Sequence, residues 1–283
     1  MILAAESDFL LGMAASSRIR DERARAMLSD AQQRSQLLCL DAPQSLQLES
    51  KGFDLIAEIK KRSPAEGQLD ADLGSPTEQS AAYLKGGAAA LSVLTEPDQF
   101  HGSLDDLHAI ANQSGSVPVM RKDFLVSRYQ VREARLAGAS GVLLIAAMLD
   151  ADQMKAMLAA AFELGLFVLM EAFDPADLDK CVPILEEFDA ALDDTGRCNY
   201  LLGVNCRNLR TLQVDFDHFE RIAPYMPATM PWVAESGVHE PAQAAVLAAM
   251  GYRMALVGTA LMRSGDPAAT VAAFRQGGIA ACS

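Results

Sequence analysis

From Phe53 onward the chain repeats one pattern eight times: an apolar run, a turn, then a helix-like segment. The runs cover 53–60, 88–94, 117–123, 141–146, 166–171, 200–205, 231–236 and 253–258. They are near-continuously apolar, as strands covered on both faces and therefore parallel must be. Helices are expected over 76–86, 103–113, 127–137 and 150–164, from Asp174-Pro175, from about 215, over 239–250 and from about 266. Several end at glycine (Gly86-Gly87, Gly138, Gly165, Gly251), and Asp174-Pro175 supplies the N-cap and first-turn residues of another. Eight strand–helix units in roughly 230 residues predict an α/β fold, a single (β/α)8 TIM barrel. An open doubly wound sheet usually shows a glycine fingerprint after its first strand, and the SPAEG found here is not one.

Residues 1–52 differ from the rest. Arg18 to Gln36 is rich in Arg, Ala, Glu and Gln, with Ile19, Ala26, Met27 and Leu37 at loosely helical spacing. One or two helices are expected there, with too little apolar content for a core of their own. The expected organisation is an N-terminal helical extension, 1–52, packed on a barrel domain, 53–283.

Polar residues interrupt the runs at one end. Glu58 and Lys60 close the first, FDLIAEIKKRSPAEG, and at i, i+2 they share a face of a strand. Alone they read as a solvated ion pair on an edge strand. However, Lys122 ends the third run, Glu171 the fifth, Asn205 the sixth and Glu235-Ser236 the seventh, while Gly258-Thr259 follow the eighth. In a barrel these C-terminal strand ends converge on one mouth, where active sites are built. Six strands delivering polar groups there point to a shared site. In that setting Glu58 and Lys60 read as two separate tools and not as a salt bridge. Ser236-Gly237 and Gly258-Thr259 stand where barrels often cradle a phosphate, since glycine lets backbone N–H groups approach an anion. Ser63 could add a hydroxyl and Arg207 a charge. Two lysines, three carboxylates, an amide and an anion cradle suit proton transfers on a phosphorylated substrate. A lysine could protonate or polarise a carbonyl or form a Schiff base, and the residues leave these open.

Composition narrows the partners. The chain of 283 residues carries a net charge of −13 with no dense run of Lys and Arg, which disfavours nucleic acid. Its five cysteines and four histidines show no metal-ligand spacing. Scattered, odd-numbered cysteines read as reduced thiols in a cytoplasmic protein. Cys206, next to Asn205, should face away from the mouth. No basic n-region marks a signal peptide and no apolar run is long enough to span a bilayer, so a membrane partner is not expected.

The pieces IAEIKKRSPAEG, ALSVLTEPDQFHGS, PVMRKDF, YQVREARLAGASGVLLI, LGVNCRNLRTLQVD, WVAESGV and LVGTALM, in that order, resemble the indole-3-glycerol phosphate synthase family from about residue 53 to the C-terminus. The resemblance implies a cofactor-independent carboxy-lyase of tryptophan biosynthesis. It would close, decarboxylate and dehydrate 1-(2-carboxyphenylamino)-1-deoxyribulose 5-phosphate to indole-3-glycerol phosphate. Carried over by motif, Lys122 is the general acid that protonates the ketone, and Lys60 pairs with the substrate carboxylate and is a candidate acid in the dehydration. Glu171 accepts or relays protons. Glu58, Asn205 and Glu235 orient the lysines and substrate hydroxyls, with Glu58 a candidate to share base duty. Ser63, Arg207, Gly237, Gly258 and Thr259 hold the phosphate, Ser236 lines the site, and Pro64, Phe100 and Phe124 flank the anthranilate ring. A monomer or weak homo-oligomer is expected.

Three features depart from the family pattern. Phe173 stands in MEAFD where a polar or histidine-like residue is usual. An apparent insertion covers roughly Pro183 to Asn199. Residues 1–52 do not align with the usual extension. These motivate two alternatives: a paralogue acting on a modified anthranilate adduct in secondary metabolism, and a non-catalytic phosphate-ligand binding barrel.

Overall fold

The computed structural model describes residues 9–48, 52–63, 67–68, 74–208 and 211–281. Eight parallel strands form a closed barrel: β1 (Asp54–Ile59), β2 (Ala90–Leu94), β3 (Val119–Lys122), β4 (Gly141–Ile145), β5 (Phe167–Ala172), β6 (Tyr200–Asn205), β7 (Trp232–Glu235) and β8 (Met254–Val257). Each pairs with its sequence neighbours, and β8 closes on β1 with Met254 opposite Asp54. The first strand is therefore central in a closed sheet and not an edge.

Strand alternation sorts the side chains into two cores. Ile56, Ala90, Met120, Leu143, Leu169, Leu201, Val233 and Met254 fill the barrel. Leu55, Ala57, Leu91, Val93, Val142, Leu144, Val168 and Leu202 point out to the helices. Burying each such Leu, Ile or Val contributes about 1.5–3 kcal/mol. The outer layer is α3 (Pro76–Lys85), α4 (Leu104–Gln113), α5 (Arg128–Leu136), α6 (Ala151–Glu163), α7 (Pro175–Leu185), the short α8 (His218–Ile222), α9 (Pro241–Ala249), the short α10 (Thr259–Met262) and α11 (Pro267–Ala281). From α3 to α7 each helix starts at Ser75, Ser103, Ser127, Asp150 or Asp174, whose side chain accepts the N–H three residues on. A cap of this kind is worth ~1 kcal/mol and fixes where each loop leaves the mouth. Gly138 and Gly251, at φ 93° and 102°, turn the chain out of α5 and α9.

Two N-terminal helices, α1 (Phe9–Met27) and α2 (Asp30–Leu37), precede the barrel. The expected apolar spacing through Ile19 and Met27 is not the packed face: these are 50% and 88% exposed. The stripe lies further forward, at Leu10, Met13, Ala14 and Ser17, an i, i+3, i+4, i+7 set. Beyond Ser17 the two helices are docked by polar bonds. Arg20 grips Asp123 with two bonds of 2.8 Å, Ser127 donates to Asp21, and Gln33 donates to the Tyr129 carbonyl.

At the opposite end Leu46–Gln47 pairs antiparallel with Arg197–Cys198, just before β6. Leu46, Leu48 and Cys198 cap the inner core from below. The apparent insertion is thus the end of α7 plus this ribbon, at the N-terminal ends of the strands.

Candidate active site

The C-terminal strand ends surround a cleft of about 940 Å3, open solvent at its mouth included. Of the expected residues, Glu58, Lys60, Lys122, Glu171, Asn205, Phe100, Phe124, Arg207, Ser236, Gly237, Gly258 and Thr259 line it. Glu235 lies beneath, 1% exposed. The backbone of Ser63 pairs with Gly67 in a small hairpin after β1. Its side chain and Pro64 lie outside the described residues.

Glu58 is the hub of the floor. Lys60 reaches its Oε1 at 2.8 Å, and Lys122 donates to its Oε2 at 2.9 Å. The two tools that the sequence suggests are separate are joined here, because a carboxylate 3% exposed requires counter-charge and both lysines turn to it. Burial alone would raise the Glu58 carboxyl, but Lys122 and Lys60 outweigh it and bring it from 4.5 to about 2. For Lys122, burial pulls the ammonium down, yet Glu58, Glu235 and Glu171 together hold it above the usual lysine range. The three carboxylates thus outweigh burial.

On the far wall Asn205 Nδ2 donates to Glu171 Oε1 at 3.1 Å, while Asn205 Oδ1 accepts the Arg207 N–H at 3.0 Å. Burial raises the Glu171 carboxyl, opposed by Lys122 and by the Asn205 bond. Burial, then Glu171, push Glu235 well above the carboxylate range. Neither oxygen of Glu235 receives a donated hydrogen bond among the described residues. A bond between Glu235 and Glu171 exists only when one of them carries a proton. Among the described residues no three His, Cys, Asp or Glu are grouped to hold a metal ion.

An aromatic wall rises on the β2–β3 side. Phe124 lies 6.1 Å from Phe100 and 6.1 Å, edge-on, from Phe9 of α1. The Phe100 loop is pinned by buried Glu96, which accepts the N–H groups of Asp98, Gln99 and Phe100. On the opposite side Ser236 and Gly237 have φ of 66° and 65°. A side chain at Gly237 would meet Cys206 Sγ at 2.6 Å, and Cys206, beneath this turn, belongs to the outer core with the helices. The left-handed Ser236 carries roughly 1–3 kcal/mol of strain held by its surroundings. Arg207 is tied by its guanidinium to the Leu212 carbonyl. At the departure noted after β5, Phe173 stacks on His218 of α8 at 4.5 Å, and His218 bonds the Phe173 carbonyl.

Several contributors were not singled out from the sequence: Phe9, Glu96, Asp123, Leu212, His239 and Gly203. Gly203 had a visible signal, a glycine inside the apolar run LLGVN. A Cβ there would lie 2.2 Å from Glu235 Oε1, and one at Gly258 would lie 2.5 Å from Glu58 Oε1. Both glycines make room for a buried carboxylate.

A family model for indole-3-glycerol phosphate synthase matches residues 13–274. The match includes most of the N-terminal segment, which motif spacing alone leaves unaligned. The indole-3-glycerol phosphate synthase of Nocardioides sp. is 44% identical over 220 residues, 78% of this chain and 79% of that one. The enzyme of that name from Mycobacterium leprae is 44% identical over 225 residues, 80% and 77% of the two chains. Among solved structures, 3-hexulose-6-phosphate synthase from Salmonella typhimurium shares the fold with a TM-score of 0.58 at 15% identity, covering 81% of this chain and all of that one (100%). N-(5'-phosphoribosyl)anthranilate isomerase from Pyrococcus furiosus does so at 0.52 and 14%, covering 80% and 98%. By family match and by relatives alike, the chain belongs to the indole-3-glycerol phosphate synthase family.

Proposed function

We propose that this chain converts 1-(2-carboxyphenylamino)-1-deoxyribulose 5-phosphate to indole-3-glycerol phosphate, with loss of carbon dioxide and water, as a step of tryptophan biosynthesis in the cytoplasm. The observation that carries this reading is Lys122: a cationic acid at the cleft floor, ringed by Glu58, Glu171 and Glu235 and facing the aromatic wall. The substrate's anthranilate ring lies against Phe100 and Phe124. Its carboxylate draws Lys60 away from Glu58. Lys122 then protonates the ketone oxygen as the ring carbon attacks, and the developing hydroxyl stays in reach of Glu58. Glu171, oriented by Asn205, takes the proton released on dehydration. The phosphate sits between the Ser236-Gly237 turn, Gly258-Thr259, Arg207 and Ser63.

In the N-terminal extension, 1–52, helix α1 acts as a cover over a catalytic domain, 53–283: Phe9 completes the aromatic wall and Leu10 and Met13 pack on the inner core. The ribbon at 197–198 lies at the opposite end, so the apparent insertion gives no reason to expect a modified substrate. Among the described residues no helix is long and apolar enough to cross a membrane. The test is purified protein with the carboxyphenylamino deoxyribulose phosphate, followed by indole fluorescence. Turnover is expected. Binding without turnover would favour a ligand-binding barrel, and turnover only with a ring-substituted adduct would favour the paralogue.

A further inference from the structure

The proposed reaction takes up one proton more than it releases. The ketone oxygen gains a proton as the ring carbon bonds to the ketone carbon. The carboxylate leaves as carbon dioxide and its bonding pair returns to the ring. The new hydroxyl takes a second proton, from Lys122 once that lysine has been recharged, and leaves as water. The neighbouring carbon gives one proton to Glu171 as the indole double bond forms. Two protons enter and one comes out. After the first transfer Lys122 is neutral amid three carboxyl groups and must be recharged.

Glu235 is placed to do this. It occupies the space that Gly203 leaves open, 1% exposed, with no donor to either oxygen among the described residues. Glu58 of β1, Lys122 of β3 and Glu171 of β5 act on it through space. From β6, Asn205 has its amide N–H committed to Glu171, and from β8 the residue in register is Leu256. An ionised carboxylate here would be a buried charge with like-charged neighbours and no donated bond. A neutral acid avoids that cost and can donate to Glu171. Burial and then Glu171 raise its carboxyl well above the ordinary range, in agreement.

Resting on the ring-closure reading, we propose that Glu235 is the proton store of the site: it carries a proton in the resting enzyme and passes it to Lys122 after that lysine has protonated the ketone. Glu171 returns the proton taken from carbon to Glu235. The extra proton of each turnover comes from solvent by way of Glu171, which also lines a second cavity of about 590 Å3 with Asp174, Asp177 and Asn208. Reloading therefore does not need the main cleft to be open.

Infrared difference spectroscopy of the resting enzyme tests the stored proton directly. At neutral pH a protonated-carboxyl stretching band is expected, which Glu235→Gln removes. In kinetics the variant should still close the ring once, because Lys122 starts charged. Its steady-state kcat should fall about 100-fold with KM changed less than about twofold, a split expected for a lost proton transfer. Should the variant not fold, the wild-type band is titrated instead and must disappear as pH is raised. Identical spectra for wild type and variant, or a kcat within about threefold of wild type, would overturn the proposal. Wild-type protein that shows the band but does not turn over the substrate overturns the proposed reaction instead, so the two failures are distinct.

Discussion

Glu58 and Glu235 are both buried glutamates on the same floor, yet they end in opposite states, because two lysines face one and a carboxyl faces the other. The pH response of stability should show both. For Glu58, whose folded value is depressed to about 2, the contribution is complete above the unfolded 4.5 and is lost as pH falls toward 2. Denaturant titrations through that window should show the loss, and Glu58→Gln should remove it. For Glu235 the sign reverses. Its raised value means that the folded state binds a proton the unfolded chain releases, so stability falls as pH rises above 4.5 through the folded value. Glu235→Gln should therefore be the more stable protein at alkaline pH by thermal unfolding. Lys122→Met should lower kcat at least ~100-fold, with circular dichroism still reporting a folded barrel. Loss of less than about tenfold would show that Lys122 is not the acid.

Strand β6 shows how a backbone position can control a side chain on the next strand. Gly203→Ala would push a Cβ against Glu235 Oε1 and, at 3.0 Å, against Leu169. The expected cost is about 1–3 kcal/mol in denaturant unfolding, with kcat falling as Glu235 moves. Helix α1 acts on its neighbour in a different way, through Arg20 and Asp123, the residue after Lys122. Arg20→Ala leaves Asp123 with Arg121, Thr95 and the Phe124 N–H, so a cost of about 1–3 kcal/mol is expected, with a lower kcat/KM as Phe9 and Phe124 loosen. The strands, their order and the polar ends of six of them were legible in the sequence because period and position carry that information locally. Helix α1 was only partly so. Its buried stripe includes Ser17, and its anchors Arg20 and Gln33 are polar, so hydrophobic spacing gave Ile19 and Met27 too much weight. The Glu58 junction with both lysines was hidden as well, since it depends on how far a lysine bends once a carboxylate is buried.

Taken as one body, the chain holds the candidate site at one end of the barrel and a plug at the other. Leu46 is wholly buried beneath the inner core, so Leu46→Ala should cost about 2–5 kcal/mol while leaving KM unchanged, measured by unfolding and by steady-state kinetics. A shift in KM would show that the floor of the barrel reaches the cleft. The plug also joins distant parts of the chain: Leu46 precedes β1, whereas its partner Cys198 precedes β6. A cut at Gly165 would leave four strands on each fragment, and the fragments would meet along three seams, β4 with β5, β8 with β1, and this ribbon. The ribbon then acts as an address label between half-barrels, biasing two separately made pieces toward the native register. Co-expressed fragments should recover activity, and Leu46→Asp should abolish that recovery; equal recovery with and without the substitution would leave the label with no part in assembly.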